Sequence, residues 1–399
     1  MTRCLRIMAV FLTATMAAAT TQAGPTTREG EEKPLLRRIA DRTFPSVFQA
    51  WNPAENLKGE DALVTAARHD LIFHGPGYLG LQWNRQPVGL ATGFTPGSIA
   101  QARQKRKRLL KLNPNLVLLA EIRYRDARKG FLPDGHEWWM YKDGKPVPGW
   151  AEGGFYQLDY RNPEYRRHVA ARCRAVVETG AVDGVMLDWW QEDEHRLALA
   201  KAVRAAVGQK ALILVNANDR TTPLTAEYVN GYFMECYRSR TAGDWKRIAD
   251  TLAWAEKNLR PPRINCLETW YHGSRRDLNL MRATTALSLT HSDGYCLFSD
   301  PNPLPRPDHL HDWYPFWNKS LGRPLGPGKG RPDKAVQREF ENGTVVYNPM
   351  GNQPVTVTFS EDRTSLGTGR RGRKHLLAGA DGDIYLKPQT RTEAAKAQE

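Results

Sequence analysis

Eight short apolar segments, separated by stretches with helical periodicity, most constrain the fold of this chain. Near-continuous apolar strands that alternate with helices indicate a parallel sheet covered on both faces. Eight such units within about 270 residues fit a (β/α)₈ barrel of the TIM type. The predicted strands are Pro45–Trp51, His69–His74, Asn115–Tyr124, Val182–Trp190, Ala211–Asn218, Gly231–Tyr237, Arg263–Tyr271 and Asp293–Asp300.

An open, doubly wound sheet is the competing α/β fold. Its usual support would be a G-x-G-x-x-G after the first strand or a P-loop, and the sequence has neither. The barrel is therefore preferred. Asn162 before Pro163 is predicted to cap one of its helices. The clearest helical patterns are Ser98–Leu112, Pro163–Thr179, Glu192–Val207, Ala242–Leu259 and Ser274–Leu289.

The amino terminus predicts export. Arg3 and Arg6 precede an apolar stretch, Ile7–Ala19, that leads through small residues to Ala23. This order is typical of a secretory signal. Because the stretch is shorter than the roughly 20 residues of a membrane-spanning helix, a membrane anchor is the less favoured alternative. We expect a cleaved signal over residues 1–23, a secreted or periplasmic protein and no membrane span.

The chain beyond the signal divides into a barrel and a smaller unit. We expect the barrel over residues 24–325 and a small β-sandwich-like domain over residues 333–387. Residues 388–399 are polar and aperiodic, which predicts disorder. The strand-like segments of the smaller domain are Thr344–Tyr347, Val355–Phe359 and Gly382–Leu386.

The chain carries 57 Lys and Arg against 43 Asp and Glu, a net charge of +14. Such a surplus favours anionic partners through long-range attraction and says nothing of the fold. The basic run Arg103–Arg108 lies in a helical pattern, so a solvated helix face is preferred over a nucleic-acid patch. No nucleic-acid partner is predicted, and the oligomeric state is left open.

Metal and cofactor sites are not predicted. Cysteines and histidines lack zinc-site spacing, and no G-x-S-x-G indicates a serine hydrolase. Buried free thiols are expected because three of the four cysteines after the signal lie in predicted strands. Cys266 and Cys296 could lie on neighbouring strands and form a disulfide, but no disulfide is predicted. The residues considered are Cys173, Cys236, Cys266, Cys296, and the histidines at 69, 74, 272, 291, 309 and 311.

Acidic side chains lie near the ends of five predicted strands. An α/β barrel carries its chemistry at the carboxyl ends of its strands. Packing does not explain such a set, because a buried carboxylate is costly unless it is paired. We therefore predict a polar site at the barrel mouth. Its candidate members are Glu121, Asp188, Glu235, Glu268 and Asp300, with Asn216 on the fifth strand.

This set suits carbohydrate chemistry. Two carboxyl groups across a cleft can divide into a proton donor and an ionised partner, the minimum apparatus for cleaving a glycosidic bond. Trp51, Trp190 and Trp270 are predicted at strand ends, where their flat faces suit sugar rings, although each taken alone could be a core residue. A carbohydrate partner is predicted, and the net charge favours an anionic one.

Two motifs carry a resemblance to a known family. Asp183–Asp188 resembles the D-G-h-h-h-D motif (h, apolar) on the fourth barrel strand of several α-glycosidase-related families. Before it, Asp159–Arg166 resembles their D-x-x-N-P-x-x-R stretch. From about residue 40 to 360 the chain is similar to the hypothetical glycosyl hydrolase barrels, family 15 of that set. These are related to the endo-α-1,4-polygalactosaminidase group.

The resemblance implies that Asp188 is the nucleophile or charge-stabilising carboxylate. It also implies a proton donor on a later strand, for which Glu235 is the first choice and Glu268 the second. We expect an exported glycoside hydrolase acting on a poly- or oligosaccharide. The alternative is a catalytically inactive carbohydrate-binding barrel of the cell envelope. Hydroxyl binding or tuning of the pair is expected from Glu121, Asn216, Glu268 and Asp300, and stacking from Trp51, Trp190 and Trp270.

Overall fold

The computed structural model describes residues 32–300, 308–318 and 320–388. The signal predicted over residues 1–23 lies outside this part of the chain, as does the predicted tail from residue 389 onward. None of the helices in the described residues combines the length and apolar character needed to cross a membrane.

Eight parallel strands form the barrel, which confirms the predicted fold. Each strand is hydrogen-bonded to the next in chain order. At the seam, the Cys296 backbone N–H donates to the Ser46 carbonyl at 2.9 Å, so the barrel is nearly closed. The strands are β1 (Phe48–Ala50), β2 (Leu71–His74), β3 (Val117–Glu121), β4 (Gly184–Leu187), β5 (Leu212–Asn216), β6 (Gly231–Cys236), β7 (Cys266–Trp270) and β8 (Tyr295–Ser299).

Helices cover the outside of the barrel. Asn162 caps one of them as predicted, since its side chain accepts hydrogen bonds from the backbone N–H groups of Glu164 and Tyr165. Between β5 and β6 a 3₁₀ turn, Pro223–Thr225, replaces the helix. The helices are α1 (Leu35–Ala40), α2 (Ala62–Ala67), α3 (Pro96–Leu112), α4 (Pro163–Glu178), α5 (Glu194–Val207), α6 (Ala242–Asn258) and α7 (Leu278–His291).

A long excursion follows β3 at the carboxyl end of the barrel. Its outer ladder pairs Asp126–Arg128 with Phe155–Gln157, and a short hairpin pairs Tyr141–Lys142 with Lys145–Pro146. The Asp126 carboxylate accepts a hydrogen bond from the Trp150 backbone N–H at 2.9 Å. The excursion therefore holds aromatic side chains over the barrel mouth.

A separate antiparallel sheet follows the barrel and packs on α7. The Arg282 guanidinium of α7 donates to the Asp381 carboxylate at 2.9 and 2.8 Å, which ties the two units together. The six strands form one sheet in the order β9-β10-β11-β14-β12-β13. They are β9 (Lys329–Gly330), β10 (Val336–Phe340), β11 (Gly343–Asn348), β12 (Val355–Ser365), β13 (Arg371–Leu377) and β14 (Asp381–Leu386).

The four cysteines in the described residues are free and buried, as expected. Most of the basic run on α3 is solvent-exposed or half-buried, which agrees with the predicted solvated helix face. Arg106 is the exception. Its side chain is buried because it reaches a buried carboxylate beneath the barrel strands.

That carboxylate is Asp183, just before β4 at the amino-terminal side of the barrel. It pairs with Arg38 of α1 and Arg106 of α3, and it accepts the Leu118 backbone N–H at 2.9 Å. The next residue, Gly184, has no room for a side chain, since a Cβ there would lie 2.0 Å from the Leu212 carbonyl oxygen. The first two residues of the D-G-h-h-h-D motif are therefore structural.

We predict that Asp183→Asn lowers the free energy of unfolding by about 3 to 5 kcal/mol, because it leaves two buried guanidinium groups without the buried carboxylate that they share. Glu32, whose side chain is 45% exposed, is the carboxylate that still contacts both. Urea denaturation followed by circular dichroism measures the change. The matched control is Asp250→Asn, which breaks the exposed pair with Lys246 and should cost less than about 1 kcal/mol. Equal losses in both variants would contradict the structural role of Asp183.

Candidate active site

The barrel mouth holds a cleft made of two adjoining cavities. Their volumes are about 860 Å³ and about 520 Å³. Trp150, Trp189 and Glu235 line both, so these residues form a waist between them. We call the larger cavity the large lobe; it is lined by Trp51, Glu121, Asp188 and His309, among others. We call the other the small lobe; it is lined by Asn216, Asn218, Arg220 and Trp270, among others.

Asp188 and Glu235 accept hydrogen bonds from the same side chain. The Asn216 amide nitrogen, at the end of β5, donates to Asp188 Oδ1 at 2.8 Å and to Glu235 Oε2 at 2.8 Å. The Asn218 backbone N–H donates to Asn216 Oδ1 at 3.2 Å and so helps to hold that amide in place. The Glu235 side chain is 19% exposed and Asp188 is half-buried. Both carboxyl groups are therefore close together and open to the cleft.

The surroundings of the two groups separate their titrations. Burial raises the pKa of Asp188 to about 6; the Glu121 carboxylate adds to this rise, while Arg123 and the Asn216 hydrogen bond oppose it. At neutral pH the Asp188 carboxyl is therefore mostly ionised.

Glu235 is shifted further. Burial raises its pKa to about 8; His309 opposes this, and the carboxylates of Asp188 and Glu268 add to it. At neutral pH Glu235 is therefore mostly protonated. Two neighbouring carboxyl groups whose pKa values lie apart form the usual arrangement of a general acid beside an ionised partner.

Glu121 and Trp51 form one wall of the large lobe. The Trp51 indole N–H donates to Glu121 Oε2 at 2.8 Å, and the Arg123 guanidinium lies 2.8 Å from Glu121 Oε1. The sequence places both Glu121 and Trp51 near the mouth, and the structure brings them to the same wall. Arg123 was not predicted as a site residue.

Glu268, the second choice for the proton donor, is fully buried and lines neither lobe. Its Oε1 accepts the Ser299 hydroxyl at 2.6 Å, and His309 Nδ1 lies 2.9 Å from the same oxygen. Glu268 therefore contacts Ser299 and His309 and has no access to a substrate oxygen. This corrects the alternative in which Glu268 is the proton donor. Asp300 is likewise buried and lines neither lobe.

The structure also corrects which tryptophan after Asp188 faces the cleft. Strand alternation places Trp190 above Asp188, and Trp190 does line the small lobe. It is only 1% exposed, however, and its indole N–H donates to the Thr225 hydroxyl, so little of its ring is open to a sugar. The chain leaves β4 at Leu187, and Trp189 adopts a left-handed φ of 56° that ends the alternation. Trp189, 44% exposed, therefore presents its ring to the cleft.

The remaining predicted residues lie in the small lobe. Trp270 and Asn216 line it, and Trp270 packs against the Tyr237 ring with centroids 5.9 Å apart. Within the described residues, no group of three or more His, Cys, Asp or Glu side chains is arranged to hold a metal ion.

Four non-glycine residues that line the cleft have left-handed backbone. Such φ values are uncommon outside glycine and cost roughly 1 to 3 kcal/mol each, so they persist where the surrounding structure imposes them. Trp51, Trp189 and Asn218 come within two residues of the end of a barrel strand, where the chain turns into the mouth, whereas His309 lies farther along the chain beyond β8. They are Trp51 (φ 50°), Trp189 (56°), Asn218 (52°) and His309 (56°).

Solved structures with a similar fold include three α-amylases. The noncanonic maltogenic α-amylase AmyB from Thermotoga neapolitana has a TM-score of 0.53 and 14% identity, over 86% of this chain and 99% of that one. The α-amylase from Malbranchea cinnamomea gives 0.51 and 9%, over 89% and 97%. The α-amylase from Lactobacillus plantarum gives 0.50 and 12%, over 89% and 100%. At such identities the likeness concerns the fold.

Comparison of sequences identifies the family. No curated protein matches the chain. A sequence model of hypothetical glycosyl hydrolase family 15, in contrast, matches residues 121–344, more than half of the chain. The matched region contains Asp188, Asn216, Glu235, Glu268 and His309. The resemblance seen in the motifs is therefore confirmed, and the chain belongs to hypothetical glycosyl hydrolase family 15.

Proposed function

We propose that the protein is a glycoside hydrolase that cleaves O-glycosidic bonds of a poly- or oligosaccharide with Asp188 and Glu235. The observation that carries this proposal is the single Asn216 amide nitrogen that binds both carboxyl groups inside an open cleft. A protein that only binds sugars has no need for two carboxyl groups at this separation with divergent pKa values. The contact geometry thus favours catalysis over the binding-only alternative.

The separation supports a retaining mechanism. The two acceptor oxygens are no farther apart than two hydrogen-bond lengths, each 2.8 Å. Inverting enzymes keep their carboxyl groups roughly 6.5 to 9.5 Å apart to admit a water molecule, whereas retaining enzymes hold them about 5 Å apart.

The roles follow from the protonation states. Ionised Asp188 attacks the anomeric carbon while Glu235 gives its proton to the glycosidic oxygen, which leaves as a hydroxyl. Glu235, now ionised, takes a proton from water, and that water displaces Asp188 from the anomeric carbon. The proton taken from water restores the acid form of Glu235, so the enzyme ends each cycle unchanged.

The shape of the cleft supports a chain of sugars as substrate. Glu235 lies at the waist, so a sugar in each lobe would place the bond between them beside the acid. Trp150 and Trp189 offer aromatic surfaces at that point. The net charge of +14 for the full chain favours approach of an anionic polymer, and the predicted signal supports export of the enzyme.

We predict that Asp188→Asn and Glu235→Gln each reduce kcat by at least about 100-fold, because each removes one half of the acid and nucleophile pair. The test screens the secreted protein against neutral and anionic polysaccharides and analyses the products. Asp250→Asn, on the exposed face of α6, is the control and should retain full activity. If both cleft variants kept full activity on a substrate that the native protein cleaves, the assignment would be wrong.

The pH dependence is a second prediction. We expect kcat/KM to rise with pH as Asp188 ionises near pH 6, and to fall as Glu235 loses its proton near pH 8. The profile should therefore be a bell with its maximum at about pH 7. Initial rates at low substrate concentration measure it. A rate that is constant from about pH 5 to about pH 9 would rule out this division of roles.

A further inference from the structure

A buried ion pair lies directly behind Glu235. His309 Nδ1 is 2.9 and 3.1 Å from the two oxygens of Glu268, so one ring nitrogen is fully engaged by that carboxylate. Glu268 lies beside Glu235 in the β6–β7 register. The other ring nitrogen, Nε2, lies 3.9 Å from Glu235 Oε1 and faces the large lobe.

The groups around His309 favour its charged form. Glu268 of β7, Glu235 of β6 and Asp308 of its own segment face the imidazole, and Asp308 Oδ2 lies 3.7 Å from Nε2. The rest of its surroundings is aromatic, with the Trp51 ring centroid 4.9 Å away. Burial lowers the pKa of His309, but the neighbouring carboxylates, Glu268 foremost, raise it to about 10. The ring therefore keeps both protons at neutral pH.

Four groups face Glu235. The carboxyl groups of Asp188 and Glu268 oppose its ionisation, whereas His309 and the Asn216 amide favour it. Of these, the imidazolium is the one full positive charge. It is also fixed, because Glu268 binds its far side and Trp51 packs against its ring.

We propose that His309 is a positioning residue for the reaction: its charge, held by Glu268, stabilises the carboxylate that Glu235 becomes when it gives up its proton. The inference rests on the proposed function. His309 keeps its own protons throughout, and the proton that moves travels from Glu235 to the glycosidic oxygen. Charge that is fixed before the reaction and acts on a group that ionises in the transition state lowers the barrier selectively. It also explains why Glu268 is buried away from the substrate.

The kinetic test uses His309→Gln and His309→Lys. Without the cation, Glu235 ionises less readily, so in His309→Gln the alkaline limb of kcat/KM should move up by about one pH unit. The same variant should lose about tenfold or more in kcat. His309→Lys restores a positive charge, so it should recover part of the lost kcat and reverse part of the shift of the alkaline limb. An unmoved alkaline limb in His309→Gln, with only KM changed, would overturn the proposal, since that is the result of a purely structural or binding role.

A spectroscopic test needs no substrate. In the native protein the His309 ring, assigned by its absence in His309→Gln, should keep the NMR shifts of a charged imidazole up to about pH 9. In Glu268→Gln it should become neutral at least one pH unit lower. Glu256→Gln, which alters a half-buried carboxyl group on α6 that binds Asn265 and Ser292, is the control and should leave the signal in place.

The two tests fail differently. If the secreted protein cleaves no glycan, the proposed function is wrong, while the NMR titration still reports whether Glu268 holds the charge on His309. If the protein is active but His309 is neutral at pH 7, or remains charged to the same pH in Glu268→Gln, the positioning role is wrong and the proposed function stands.

Discussion

One hydrogen-bonding side chain organises the site. The Asn216 amide nitrogen binds Asp188 and Glu235 together, and this is possible only because β4, β5 and β6 are adjacent parallel strands whose carboxyl ends meet at the mouth. Two carboxyl groups so close cannot both ionise easily. This repulsion is avoided when one of the two carboxyl groups stays protonated. A protonated acid beside an ionised partner is the arrangement that glycosidic cleavage requires.

The two acidic residues of the D-G-h-h-h-D segment lie at opposite ends of the barrel. Asp183 binds two buried arginines at the amino-terminal side, and Gly184 permits the close approach of β5. Asp188, five residues later, opens onto the cleft at the other side. A single strand therefore anchors the barrel at one end and carries, at the other, the carboxyl group that we propose as the nucleophile. The two acidic residues of the motif have different surroundings, since one is buried between arginines and the other lines the cleft.

The barrel and the acidic mouth are predictable from the sequence because both depend on local periodicity. Apolar runs mark the strands, and the acids mark their ends. Trp189 was missed because its left-handed φ ends the alternation that pointed to Trp190. His309 carries no comparable signal, because the spacing of the histidines along the chain indicates no site. Its partner, Glu268, is 41 residues away along the chain and meets it only once the barrel closes.

The most direct test of the central claim is to trap the covalent intermediate. In Glu235→Gln an activated glycoside needs no acid to leave, but water lacks its base, so the glycosylated enzyme should accumulate. Mass spectrometry of proteolytic peptides should then find one glycosyl unit attached to Asp188. Attachment to another carboxylate, or release of a product of inverted configuration with no adduct, would contradict the account.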